Sequence, residues 1–173
     1  MGSDSDLEVM KAAPLILEEF GVSHEVGIKS AHRTPDRMRD YAKKVSKRGV
    51  KVVIAGAGGS AHLPGMVAAY TRLPVIGVPV ETANPNRDSS VKSMIDMPYG
   101  EPVAVVGVNK ADQAALLAIR ILALSNPELA IKLETFHDEH AAKVALLDEE
   151  LEQKGLPVFL RDRSLAEDER NFG

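Results

Sequence analysis

Three stretches of this chain carry side chains able to do chemistry, and all three are short and rich in small residues. The first, Gly2-Ser3-Asp4-Ser5-Asp6, stands at the head of a helical pattern, where main-chain N–H groups and serine hydroxyls can hold an anion. The same residue types are ordinary helix caps, and the spacing alone leaves both uses open. The second, Ser30-Ala31-His32-Arg33-Thr34, sets an imidazole, a proton carrier near neutral pH, beside a guanidinium able to fix a phosphate. A loop histidine taken alone is as readily structural as catalytic, so His32 gains weight only from the anion-ready first loop. The third runs Ala55-Gly56-Ala57-Gly58-Gly59-Ser60-Ala61-His62-Leu63-Pro64-Gly65, with so little side-chain bulk that its main chain can approach a flat ligand closely. Its spacing is not the dinucleotide fingerprint, and it lacks the lysine of a phosphate-binding P-loop.

The segments around these loops must position them. His24–Ile28, Val50–Ala55, Pro74–Val78 and Val103–Val106 are short and β-branched, and read as strands. Between them, apolar residues fall at helical spacing over Leu7–Phe20, Met38–Val45, Leu63–Thr71 and Ser89–Met97. Strands alternating with helices predict an α/β fold, a parallel sheet covered on both faces, with the ligand site in loops after the strand ends. Thr34-Pro35-Asp36 predicts a helix start, with Thr34 as cap, proline at the first position and an acid in the first turn. Pro14, inside Leu7–Phe20, removes a helix hydrogen bond and predicts a bend or break. Ala111–Leu124 is a further helix, and Asn126-Pro127-Glu128 opens a long one running to about Lys154, with Gly155 as its natural end. Leu156–Leu160 reads as a short apolar, strand-like run, followed by a polar tail. We divide the chain into a catalytic domain, residues 1–125, a helical extension of it, 126–154, and the run and tail, 155–173.

Composition narrows the functions. With 173 residues the chain can bury roughly two thirds of its unfolded surface in one core. It has no cysteine, which removes disulfides, thiolate metal sites and cysteine nucleophiles, and fits a cytoplasmic setting. A net charge of −4 with scattered basic residues, and only 4% aromatics, argue against nucleic acid as partner. No apolar run reaches the length of a membrane span. A small-molecule ligand is the remaining expectation. Glu134, His137 and His140 share a helix face at metal-like spacing, although their charged surroundings are those of a solvated face.

Taken in order, the loops resemble those of the aminoimidazole ribonucleotide carboxylase family, and within it the N5-carboxyaminoimidazole ribonucleotide mutase branch. The resemblance covers about residues 1–125 and includes Gly77-Val78-Pro79-Val80, Met97-Pro98-Tyr99-Gly100 and Ala114-Ala115-Leu116-Leu117. Arg33, Gly58, Gly59 and His62 fall on the mutase side; the branch using free carbon dioxide has a more polar third loop and a lysine after the second-loop histidine. The resemblance implies a three-layer flavodoxin-like fold and a shift of a carboxyl group from the exocyclic nitrogen to the ring C4 of a nucleotide, without metal or cofactor. It implies that Ser3, Ser5 and Arg33 hold the 5′-phosphate and Asp6 the ribose. Ser30, Ala57, Gly58, Gly59 and Ser60 would contact the base or its carboxyl group, with His62 and Leu63 beside them, and His32 would be the general acid and base. A homo-octamer and functional coupling to an ATP-dependent synthetase of the substrate are further implications.

The family pattern places an apolar strand directly before the first loop, where this sequence has only Met1. The expected consequences are exposed flanks on the neighbouring strands and a poorly ordered phosphate loop. Leu156–Leu160 is then expected to pack on the domain or a neighbouring subunit, since Pro157 tells against a central strand. Glu81–Asp88 is expected near the pocket mouth, and Asn109–Gln113 is shorter than the family pattern.

Overall fold

The computed structural model describes residues 1–81 and 88–171, so most of the segment expected at the pocket mouth lies outside the described residues. Two units are present, Met1–Ala130 and Ile131–Gly173. In the first, β1 (Val53–Gly58), β2 (Val75–Val80) and β3 (Ala104–Val105) form a parallel sheet in that order, with Val53 opposite Val75 and Ile76 opposite Ala104. Parallel neighbours need crossovers, supplied by α4 (Leu63–Ala68) between β1 and β2 and α5 (Asp88–Ile95) between β2 and β3.

Alternation along the strands assigns the two faces. Val53, Ala55, Ala57 and Val75 point into one core with Met38 and Ala42 of α3 (Pro35–Lys44), Leu63 and Val67 of α4, and Met94 of α5. Residues of opposite parity, Ile76 and Val78, are equally buried but face the other way. On that side lie α1 (Leu7–Met10), α2 (Ala12–Glu19) and α6 (Ala111–Ala123), whose Ala114, Ala115, Ala118 and Ile119 are buried. A Cβ on Gly56 would run into the Met10 side chain, so glycine is what lets α1 lie this close to β1. The fold is therefore the expected α/β arrangement, an open parallel sheet with helices on both faces.

Several local expectations shift by a turn or a register. The break in the first helix falls at Lys11, between α1 and α2, because Pro14 has no N–H for the Met10 carbonyl four residues back. Thr34 precedes α3, but its hydroxyl donates to the Ser30 carbonyl at 3.2 Å and does not cap the helix. His24–Ile28 is not a strand. Its pattern is strand-like, yet among the described residues no amide from Ser23 to Ile28 donates to a main-chain carbonyl, and Val26 and Ile28 are exposed. A strand exists only through a paired neighbour, and β1 makes its ladder with β2 alone.

α7 (Pro127–Lys154) starts in the first unit, where Asn126 Oδ1 accepts from the Leu129 amide at 3.2 Å. Within the second unit it continues to Gly155, which sits at φ +71° as a left-handed helix end. The expected apolar strand at Leu156–Leu160 is instead the first part of a helix, α8 (Leu156–Asn171). Pro157 permits this, because a first-turn residue needs no N–H for the helix ladder. Lys154 joins the two helices through Glu150 and Asp162, at 2.7 and 2.9 Å. No helix among the described residues is long and apolar enough to cross a membrane.

Candidate active site

The loop before α1 is organised by Asp6. This carboxylate is buried at 4% exposure, and its Oδ2 accepts from the amides of Gly2 at 3.2 Å and Ser3 at 3.0 Å. The Gly2 amide also reaches the Gly56 carbonyl of β1 at 3.1 Å. The first loop is thus tied to the sheet, contrary to the expectation of poor order. Asp6 turns one carboxylate oxygen inward to hold the loop, and Ser3 and Ser5 remain at the surface side. Beside it, the Ser3 hydroxyl lies between the Asp4 carboxylate at 2.9 Å and the Arg33 guanidinium at 3.2 Å. The Ser3 hydrogen bond, first, holds the Asp4 carboxyl below its ordinary range.

Residues 30–34 form a tight turn leading into α3. Ser30 Oγ accepts from the Arg33 amide at 3.1 Å, and the Thr34 amide donates to the Ser30 carbonyl. Buried Ala31 anchors this turn in the core, which leaves His32 and Arg33 directed outward. The glycine-rich loop leaves the end of β1 with Ala57 buried, Gly58 and Gly59 partly covered, and Ser60 exposed. Gly59 takes φ +59°, a left-handed turn that glycine adopts without a Cβ penalty. The chain then re-enters the core at Ala61 and at Leu63, the first residue of α4, so that exposed His62 is held between two buried neighbours.

These anchors bring the two histidines together. His32 Nε2 and His62 Nδ1 are 2.8 Å apart, and the rings meet edge to face at 82°. One proton lies between two imidazoles at that distance, with one ring donating and the other accepting. The site accordingly sets a hydrogen-bonded imidazole pair at the carboxyl end of β1, next to a glycine turn, with the Arg33 guanidinium donating to Ser3 of the first loop. Among the residues singled out in the three loops, hydrogen bonds join Arg33 to Ser3 and to Ser30, and His32 to His62. What the sequence did not show is that His32 and His62, thirty residues apart, form one unit. Nor did it show Glu81 and Asn109 at the neighbouring end of β2. There the Glu81 amide donates to Asn109 Oδ1 at 2.8 Å and the Asn109 amide to the Pro79 carbonyl at 2.9 Å, with Asn109 at φ +59°. An asparagine after a strand end was the available signal.

The family model described as AIR carboxylase matches residues 1–143. The chain belongs to the AIR carboxylase family. Within that family, the N5-carboxyaminoimidazole ribonucleotide mutase of Thermotoga maritima is 52% identical over 163 residues, which cover 94% of this chain and 95% of that protein. The phosphoribosylaminoimidazole carboxylase of Saccharomyces cerevisiae is 50% identical over 94% of this chain, but the match takes up only 28% of the yeast protein. Among solved structures, that of Treponema denticola PurE superposes with a TM-score of 0.76 at 28% identity, covering 87% of this chain and 94% of that one. The AIR carboxylase fold is thus present here with three described strands. Glu134, His137 and His140 lie in the second unit; His140 Nδ1 is bonded to the Phe136 carbonyl at 2.8 Å, and His137 faces Asp138.

Proposed function

We propose that this protein is an N5-carboxyaminoimidazole ribonucleotide mutase of purine biosynthesis, an isomerase that moves a carboxyl group from the exocyclic nitrogen of its nucleotide to the ring C4. The observation that carries this reading is the His32–His62 hydrogen bond at the glycine-lined end of β1. The reaction exchanges protons but adds no water. A proton is delivered to the exocyclic nitrogen as the N–C bond breaks and carbon dioxide forms; ring C4 then attacks the carbon dioxide, and its proton returns to the base. His32 is the group that donates and accepts, because an imidazole serves both steps near neutral pH. His62 holds the His32 ring and shares its proton.

The surrounding residues supply binding and confinement. Arg33, with Ser3 and Ser5, takes the 5′-phosphate, as a guanidinium beside hydroxyls suits a phosphate's geometry. Asp6 supports that loop and faces the ribose. Ser30, the main chain of Ala57, Gly58, Gly59 and Ser60, and the neighbouring Leu63 surround the base and the carbon dioxide. A narrow pocket matters here more than a strong nucleophile, since carbon dioxide must be captured before it escapes. The same reading makes the protein cytoplasmic and free of metal and cofactor, supplied by an ATP-dependent synthetase of the labile substrate. It also makes it a homo-octamer, for which exposed apolar residues such as Ile131, Val144 and Leu146 are suitable contact surface.

The test is an assay of the purified protein with N5-carboxyaminoimidazole ribonucleotide, without bicarbonate or ATP. Formation of the 4-carboxy product with little incorporation of labelled free carbon dioxide is the expected result. Turnover only of aminoimidazole ribonucleotide with added bicarbonate would replace the mutase by the carboxylase, and binding without turnover would leave a nucleotide-binding module.

A further inference from the structure

Among the described residues, a methionine takes the place of the absent side chain at three glycines. A Cβ on Gly56 would run into Met10, one on Gly77 into Met94 and one on Gly65 into Met97. Met10 and Met94 are buried and join helix to sheet, whereas Met97 is half-buried and lies against α4, the helix that begins at the candidate site. The Gly65 Cβ position is 2.6 Å from Met97 Sδ and 3.0 Å from its Cε, so the thioether stands where a side chain at 65 would stand. His62 precedes α4 with helical dihedrals, φ −76° and ψ −17°, and its carbonyl accepts from the Met66 amide at 3.0 Å. Residues three apart on a helix share a face, and each Cα–Cβ bond leans toward the N-terminus. The space above Gly65 is therefore the space beneath the His62 side chain, and Met97 fills it. Met97 is also fixed from its own segment. Pro98 disfavours helical backbone at the residue before it, so α5 stops at Ile95, short of Met97. Beyond it the Glu101 amide donates to the Pro98 carbonyl at 3.2 Å and Gly100 takes φ +101°, which closes a tight turn.

We propose that Met97 is a positioning residue for the histidine pair: its thioether replaces the side chain that Gly65 lacks and supports the His62 ring in its contact with His32. The inference rests on the mutase reading, in which His32 moves the proton and His62 holds the His32 ring. The need for support follows from the site itself, because both histidines are exposed. A hydrogen bond contributes only about 1 kcal/mol net, too little by itself to hold two rotatable rings in water. A methionine suits this task. Its flexible, polarisable side chain follows the surface of a helix and makes favourable contact with ring edges, and it offers no strong acceptor to compete with the partner imidazole. Gly65 is the complementary half, since any side chain there would displace the thioether.

The test removes each half of the contact in turn. Met97→Ala is expected to lower kcat by at least about fivefold while KM changes by less than about twofold, because geometry is lost and nucleotide binding is not. Met97→Leu, of similar volume, should stay within about twofold of the unaltered protein. In a His62→Ala background the Met97→Ala change should cost less than about twofold, since no ring is left to support. Gly65→Ala should lower kcat by crowding the thioether, and adding Met97→Ala should restore part of that loss. Losses that multiply in either double variant would overturn the proposal, as would a folded Met97→Ala protein with near-normal kcat. Should Met97→Ala not fold, Gly65→Ala with and without His62→Ala makes the same comparison. The ring nitrogen resonances of His62 read the support without turnover: they should move in Met97→Ala and stay in Met97→Leu, and unmoved resonances in Met97→Ala would also overturn it. Absence of mutase turnover in the unaltered protein would instead remove the function, leaving the resonances to decide the role of Met97.

Discussion

The carboxyl end of β1 and its outer edge lie on the same strand, yet they are built to opposite rules. At the end, Ala57, Ala61 and Leu63 are locked into the core, and each buried residue fixes the direction of a polar neighbour, so that His62 can meet His32 at 2.8 Å. Along the edge, the side chains are buried to a similar depth but the main chain facing 22–29 is left without a ladder. The first arrangement stores positional accuracy and the second stores unspent hydrogen-bonding capacity. Chemistry should therefore respond to changes at the end of β1 with little effect on stability, and stability should respond to changes along its length with little effect on chemistry.

The most severe challenge to that contrast is His32→Asn. Turnover is expected to fall by at least about a hundredfold, the lower range of what a general acid–base contributes, with thermal midpoint and nucleotide affinity nearly unchanged. A comparable loss of stability would show that the histidine pair holds the loops together. His62→Gln separates the two roles: its amide can still hold the His32 ring without titrating, so the pH profile should change shape more than the maximal rate falls. An identical profile would mean that His62 shares no proton with His32.

Arg33→Ala is expected to weaken binding of the phosphorylated ligand by about tenfold or more, as for loss of a charge-assisted hydrogen bond. Binding of the dephosphorylated ligand, measured by calorimetry, should hardly move; equal losses would make Arg33 a brace for Ser3. Gly56→Ala probes the strand itself, where a Cβ meets Met10. Overpacking of this kind costs about 1–3 kcal/mol, read from a denaturant curve, while the chemistry of folded protein should survive.

The smallest effect belongs to Met1. Its ammonium is lowered from an ordinary value of 8.0, first by burial, with Lys29 adding to the shift and Asp6 opposing it. The unfolded chain therefore binds this proton more readily than the folded one. Stability from this group is highest above about pH 8 and declines as pH falls through the lowered folded value. Acetylating Met1 should flatten that part of the stability–pH curve. A slope that survives acetylation would assign it to another group and remove the burial penalty from the outer edge.

Much of this molecule is a direct consequence of residue order. Pro14 dictates the interruption near Lys11, Pro35 the start of α3 and Gly155 the end of α7, because a missing N–H or a left-handed φ is a property of one residue in its own chain. The three loops were legible as candidate sites only in combination, since serine and aspartate also cap helices and a lone loop histidine is as readily structural as catalytic. Residues 24–28 and 156–160 were misread for one shared reason. Both have strand-like composition, but a strand is settled by a neighbour in space: 24–28 lacks a full ladder, and 156–160 follows a left-handed glycine into a helix whose hydrogen bonds are all local. The His32–His62 contact and the inward turn of Asp6 belong to the same class. Sequence supplied the groups; only the packing of Ala31, Ala61 and Leu63 into one core decided which of them would touch.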